Sequence, residues 1–290
     1  MQFRPEVIDA VDAAIEALSD VDLAPTEEAK SDSTAGVYLR RHRHEYLRTV
    51  QDVFLQRPND PAKPARVLEI GSFFGVVVVA LKRLGYRVTA ADIPECIELP
   101  PIRRRFEELG VEARAVRLEE FRLPFEDEAY DVVVMCEVLE HLNFNPLPLI
   151  KDINRILSVG GLFYLSLPNV SSFTNRMRVL KGEPIMVTVN QFFKQLDPLE
   201  AEIANGHWKE YTADEVREIL TRLGFSIARQ YYFSLGECLD DASMRKRLGR
   251  AFYRTFPALK ENQTTLALKA RRTEVEFSIP RTVHPTLGRF

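Results

Sequence analysis

Apolar residues recur along this chain with two different periods, and the change between them divides it. Val7, Ile8, Val11, Ile15 and Leu18 fall at helical spacing, and Tyr38, Leu39, Tyr46, Leu47, Val50, Val53 and Phe54 repeat that pattern in a second helical region. The polar stretch Asp20 to Ser33 between them reads as loop. Pro58, Pro61 and Pro64 then break any helix, because proline lacks a donor and disfavours helix in the residue before it. A new unit therefore begins near Ala65.

From there short apolar runs alternate with amphipathic ones. Strands are expected over 66–70, 87–91, 111–116, 130–136 and 162–167, and helices over 75–84, 102–109 and 146–157. Such alternation is the signature of an α/β fold, a parallel sheet covered by helices. Asn145-Pro146 opens the last of those helices and Gly160-Gly161 is expected to end it. Thr212-Ala213-Asp214-Glu215 is a capping box for a further helix, closed by Gly224. Residues 168–205 interrupt the alternation with a helix bearing Arg176, Arg178 and Lys181, an apolar run over 184–189, and Phe192-Phe193. Two more strands are expected over 226–232 and 264–270, separated by a basic amphipathic helix over 242–256, and no pattern follows Arg272.

Composition narrows the class. The 290 residues are 46% hydrophobic and 28% charged, enough to bury a core, with a net charge of -3 and no basic run suited to a phosphate backbone. Nucleic acid is therefore not the expected partner. Cys96, Cys136 and Cys238 are odd in number and far apart, which suggests neither a disulfide framework nor a metal or redox pair and fits a reducing, cytoplasmic setting. No apolar run approaches the roughly 18 residues that span a bilayer.

Chemistry concentrates at the ends of the early strands. Val67 to Ile70 runs into Gly71-Ser72-Phe73-Phe74-Gly75, a turn whose glycines let backbone approach a ligand at the crevice of a parallel sheet. Glycine is missing at Phe73 and Val76, so the dinucleotide fingerprint is absent and a nicotinamide enzyme is disfavoured. Asp92 ends the second strand, where a carboxylate can accept both hydroxyls of a ribose. A nucleoside without the pyrophosphate fits that pair of features.

The third segment, Leu123-Pro124-Phe125, then Tyr130-Asp131 and Cys136-Glu137-Val138-Leu139-Glu140-His141-Leu142, resembles the class I S-adenosylmethionine-dependent methyltransferases. The resemblance continues through Arg155 to Gly161, Ser166 to Asn169, and Gly206-His207-Trp208-Lys209-Glu210-Tyr211-Thr212. It implies a Rossmann-like seven-stranded methyltransferase sheet with helices on both faces and the last strand pair antiparallel. Residues 1–64 become a helical N-terminal cover, 65–272 the methyltransferase domain with 168–205 as an inserted substrate lid, and 273–290 a tail.

The same resemblance implies S-adenosyl-L-methionine as cofactor and S-adenosyl-L-homocysteine as product. It assigns Glu69, Gly71, Ser72, Phe73 and Gly75 to the cofactor turn, Asp92 to the ribose, and Ile93 to the adenine. Glu119 or Glu120 would meet the adenine amino group, and Cys136 and Glu137 the methionine moiety. Two departures stand out: Phe73 replaces the usual middle glycine, and Arg117 occupies one alignment position for the third-strand acid.

The sulfonium already activates the methyl group, so the protein must align an acceptor and, for a hydroxyl, remove its proton. His141, following the fourth strand, is the first candidate base, and His207 the second. Tyr211 and Arg176 are candidate substrate contacts, though a solvated face is the commoner explanation of Arg176. Cys136 reads as a packed residue rather than a nucleophile. No metal is expected, since His42 and His44 lie two apart on a helix and no third ligand accompanies them. The expected reaction is O-methylation of a small-molecule or glycan-type metabolite. N- or C-methylation, or a catalytically silent cofactor-binding interaction protein, remains open beside it. The aromatic insertion could form a homodimer contact.

Overall fold

The computed structural model describes residues 3–21, 35–195, 206–234 and 244–276. Seven strands form one sheet: β1 (Arg66–Ile70), β2 (Arg87–Asp92), β3 (Glu112–Ala115), β4 (Tyr130–Cys136), β5 (Leu157–Pro168), β6 (Phe225–Phe233) and β7 (Asn262–Lys269). Their spatial order is β3-β2-β1-β4-β5-β7-β6, and β7 alone runs antiparallel to its neighbours. The central strands are buried on both faces, as their continuous apolar runs require. Val67, Leu68 and Ile70 in β1 and Val132 to Met135 in β4 are at most 1% exposed.

Helices cover both faces. α1 (Pro5–Leu18), α2 (Ala35–Arg41) and α3 (Arg43–Gln56) make up the N-terminal cover, with α4 (Val76–Arg83) beneath α1. α5 (Pro94–Ile97) and α6 (Pro100–Glu108) join β2 to β3, and α7 (Leu147–Ile156) joins β4 to β5. α8 (Phe173–Leu180) and α9 (Val189–Gln195) belong to the insertion, α10 (Ala213–Arg222) precedes β6, and α11 (Met244–Thr255) precedes β7. The Thr212 and Glu215 side chains cap α10 reciprocally, as the capping box predicts.

Two local expectations change. The second helical region is two helices, broken at His42. Gly160-Gly161 does not end α7, which stops at Ile156 and passes directly into β5. Those glycines instead lie in an irregular stretch, where the pairing jumps from Tyr130 with Leu157 to Val132 with Leu162. Most of the polar loop at 20–33, part of the insertion at 196–205 and most of the tail lie outside the described residues.

A buried polar cluster fastens the cover to the sheet. Asp52 of α3 is fully buried; it accepts from the Tyr231 hydroxyl of β6 and from Arg229 Nη1 at 3.2 Å. Arg48 lies over the Phe233 ring, 4.6 Å from its centroid. Burial raises the Asp52 carboxyl above its usual range, and Tyr231, Arg229 and Arg48 oppose that rise. Removing the acid takes the charged acceptor from the Tyr231 hydroxyl and leaves Arg48 and Arg229 without their buried counter-charge. Asp52→Ala is therefore expected to cost about 3 kcal/mol of unfolding free energy in a urea titration, whereas an unchanged midpoint would show that the cover is held by packing alone.

Candidate active site

Parallel pairing aligns the ends of three strands, since Ile70 stands opposite Ala91 on one side and Met135 on the other. The residues that follow share the crevice. Gly71 and Gly75 adopt φ of +76° and +79°, and neither tolerates a side chain. A Cβ at Gly71 would sit 2.2 Å from Val138 Cγ2, and one at Gly75 would sit 2.4 Å from the Phe106 ring.

Phe73 holds φ of +45°, a left-handed conformation costing a non-glycine residue roughly 1 kcal/mol. Two interactions offset it. Its N–H donates to Asp92 Oδ2 at 2.7 Å, and its ring packs on Phe74 and Tyr38, with centroids 4.2 and 6.0 Å away. The turn thus keeps its glycine-type path with an aromatic residue in the middle.

Asp92 also accepts from the Ile93 N–H at 2.7 Å, which leaves lone pairs on both oxygens for hydroxyl donors. Burial raises its carboxyl to about 6 against the opposing pull of those two N–H groups. Ser72 Oγ is buried without a hydrogen-bond partner among the described residues. Glu69 is turned to a different task. Its carboxylate accepts from Val78 N–H in the first turn of α4, capping that helix, and burial lifts it to about 8. Glu119 is half-buried beside Arg117, which binds Glu95 at 2.7 Å and approaches Glu119 at 3.8 Å. Glu120 is exposed and lines a separate cleft of about 460 Å³ with Arg122, Lys151 and Glu276.

A second group lies just past β4. Cys136 has its thiol pushed up by burial and then by Glu69, unsuited to nucleophilic work. Glu137, at φ of +54°, has its carboxyl held well above its usual range by burial and by the charges of Glu140 and Glu45. The 3-10 turn Leu139–His141 follows. The segment 206–212 crosses it, because the Glu140 carbonyl accepts from Trp208 N–H at 2.8 Å and the Tyr211 carbonyl accepts from Gln263 Nε2 at 2.6 Å.

That crossing brings His141 and His207 together, ring centroids 5.0 Å apart. The two imidazoles differ in environment. His207 Nδ1 contacts Glu210 Oε1 at 2.8 Å, and Asn175 Nδ2 donates to the other Glu210 oxygen at 2.7 Å. The Glu210 carboxylate raises the His207 pKa, more than its burial lowers it. Burial pushes His141 down to about 4, and the His207 charge adds to that. Glu140 is fully buried; neither carboxylate oxygen accepts from an N–H or hydroxyl donor among the described residues, and the Glu137 carboxyl shares a hydrogen bond with it. One donor atom each from Glu140, His141 and His207 lies within 4.8 Å of the others, so this is also the place where a metal could sit.

Other expected residues fall elsewhere. Tyr211 is 3% exposed and packs under the Lys209 ammonium, 4.7 Å from its ring centroid. Arg176 is exposed on α8 and donates to the Ser171 carbonyl at 2.9 Å. His42 pairs with Glu45 at 3.0 Å, while the His44 ring meets Phe3 edge-on. Sequence reasoning missed Glu140, Glu210 and Asn175. The signal for the first two was present, since each is an acid one or three residues from a candidate histidine.

The fold and this crevice define a nucleoside-binding sheet protein of methyltransferase type. The family profile described as a methyltransferase domain matches residues 38–230, and the chain belongs to that family, the S-adenosylmethionine-dependent methyltransferases. A ubiquinone biosynthesis O-methyltransferase from Xanthomonas campestris is 30% identical over 122 residues, 42% of this chain and 50% of that protein. One from Ruegeria pomeroyi is 32% identical over 126 residues, covering 43% and 50%. The chain thus spans about half the length of the curated relatives it matches. A crystallised S-adenosylmethionine-dependent methyltransferase from Mesorhizobium loti superimposes with a TM-score of 0.51 at 12% identity, over 79% of this chain and 97% of that one. That likeness bears on the fold.

S-adenosylmethionine fits the residues present: Asp92 retains acceptor capacity for the ribose, the glycine turn admits no side chain, and the Ser72 hydroxyl lacks a partner. Ribose hydroxyls donate into an ionised carboxylate, so affinity should fall as pH drops through about 6, by up to about tenfold per unit. Calorimetry with S-adenosylhomocysteine between pH 5 and 8 checks this. Asp92→Asn should weaken binding and flatten the profile; a pH-independent wild type would remove Asp92 from the ribose.

Proposed function

We propose that this chain methylates a hydroxyl oxygen on a small acceptor, with the proton drawn off by His207. The observation that carries the reading is the His207 ring held on the buried Glu210 carboxylate. That carboxylate fixes the tautomer and strengthens the other ring nitrogen as a proton acceptor. His141, pushed down to about 4, stays neutral at physiological pH and is the weaker base. Bound S-adenosylmethionine supplies an activated methyl group, its carbon–sulfur bond breaking with the electron pair on sulfur as the carbon–oxygen bond forms.

The chain's own groups do the remaining work. Asp92 and the turn around Gly71 position the cofactor, while Cys136 and Glu137 lie beside its methionine end. The segments 168–195 and 206–212 would supply the acceptor side, and α3 packs against β5. The partial likeness to ubiquinone biosynthesis O-methyltransferases supports oxygen as the acceptor and a hydroxylated small molecule as its carrier. A catalytically silent role draws no support from Phe73, whose N–H still serves Asp92.

A panel of phenols, catechols and sugars assayed with S-adenosylmethionine, with the methylated atom located by NMR, tests the reaction. His207→Gln should lower kcat by about 10²- to 10³-fold and leave cofactor affinity unchanged. Because Glu210 raises the His207 pKa, the proton-free base is lost on the acid side of a value above 6.5, and kcat should rise with pH through neutrality. Undiminished kcat in His207→Gln would assign the proton to another group.

A further inference from the structure

Glu140 presents an unusual physical situation. A buried carboxylate ordinarily accepts several hydrogen bonds, because its desolvation is otherwise uncompensated. Two other buried acids obey that rule. Asp152 accepts from Arg155 and from the Leu123 N–H, and Asp52 accepts from Tyr231 and Arg229. Glu140, 0% exposed, accepts from no N–H or hydroxyl donor among the described residues; the neighbouring Glu137 carboxyl is the one side chain that shares a hydrogen bond with it.

What faces it is a pair of imidazoles. His141 Nε2 is 3.9 Å from Glu140 Oε1, and one donor atom of each of the three side chains lies within 4.8 Å of the others. Ligands around one ion at about 2.1 Å stand roughly 3 Å apart, so a contraction of about 1 to 2 Å brings all three onto a common centre. Each imidazole also has a hydrogen-bond partner outside the three. His207 Nδ1 is held by Glu210, itself held by Asn175, and the His141 ring bonds to the Gly206 backbone. Orienting a ligating imidazole through its second nitrogen is how metal sites fix tautomer and ring angle. The two ligand-bearing segments are tied by the Trp208 N–H on the Glu140 carbonyl, at the donor set itself.

From this geometry we infer that Glu140, His141 and His207 bind one divalent transition-metal ion at the end of β4. Two imidazoles and one carboxylate suit Mn²⁺, Fe²⁺, Co²⁺ or Zn²⁺ better than Mg²⁺ or Ca²⁺, which take oxygen ligands. Three protein ligands leave open positions, and two adjacent oxygens of a vicinal diol or catechol fit them. The catalytic consequence rests on the O-methylation reading above. A hydroxyl on the ion loses its proton to solvent near neutrality, as metal-bound water does. The His207 base of that reading then belongs to the metal-free protein, whereas in the loaded protein His207 serves as a ligand and the cation ionises the acceptor. Metal binding itself does not depend on that reading.

The test uses the full chain, stripped with EDTA and titrated with Mn²⁺ under electron paramagnetic resonance, with Co²⁺ absorption as a second readout. One ion per chain is expected, with Co²⁺ bands of mixed nitrogen and oxygen ligation. Glu140→Gln and His141→Gln should each abolish Mn²⁺ binding, and Glu210→Gln should weaken it by about 10- to 100-fold. S-adenosylhomocysteine affinity, measured on the same samples, should persist and report that each variant is folded. Absence of Mn²⁺ and Co²⁺ binding at millimolar concentration, or binding indifferent to all three substitutions, overturns the metal site. Full methyl transfer to a hydroxyl by the stripped enzyme, with Mn²⁺ binding intact, overturns its catalytic role while the O-methylation reading stands.

Discussion

Parallel pairing of β1 with β2 on one side and β4 on the other is the constraint from which the crevice follows. All three strands are buried on both faces, so their register is set by the apolar positions they must hide. A slip of one residue would turn every side chain to the opposite face. With the register fixed, Gly71, Asp92 and Cys136 come off the sheet at one level although they are far apart in the chain. The Asp92 carboxylate then binds the neighbouring turn through the Phe73 N–H, which makes the two strand ends one rigid unit.

The polar groups of this protein separate into two kinds by how completely they are satisfied. Burial alone would raise Asp131, yet the Arg66 guanidinium and N–H and the Ser158 hydroxyl hold it at about 2. Lys269, 2% exposed, donates to the Leu157 carbonyl at 2.6 Å, and Asp152 is clasped by Arg155. These are closed structural networks beneath the sheet. Past β4, by contrast, Glu137, Glu140, His141 and His207 all have shifted proton affinities, and the Glu140 carboxylate accepts from no N–H or hydroxyl donor among the described residues. Unsatisfied, perturbed groups gathered at the mouth of a cofactor crevice are where chemistry is expected.

Phe73 illustrates how a family pattern can change without losing its backbone path. The position keeps a left-handed backbone that glycine would adopt freely, and the added ring joins Tyr38 and Phe74 beneath the N-terminal cover. The turn and the cover are thereby coupled, and the same cover is anchored at its other end by Asp52.

Much of this protein was legible in one dimension. Strand and helix alternation, the glycine turn, Asp92 and the capping box at Thr212 are local signals, since each depends on residues within one turn or strand. The helix end assigned to Gly160-Gly161 failed for a tertiary reason: pairing of Leu157 with Tyr130 draws the chain into the sheet before those glycines are reached. Glu69 was legible as part of the motif, but its role as the cap of α4 required the helix to fold back over β1. The His141 and His207 pair was named from sequence as two alternatives. Only the fold makes them one site, because the Trp208 N–H reaches the Glu140 carbonyl across 68 positions of chain. The sequence by itself determined the sheet through periodicity and the crevice through its turn motifs, and its resemblance to a family implied the cofactor class. The tertiary structure decided which histidine leans on a carboxylate, which acid is buried without an N–H or hydroxyl donor among the described residues, and which expected contacts are packing, because burial and pairing are properties of assembled neighbours.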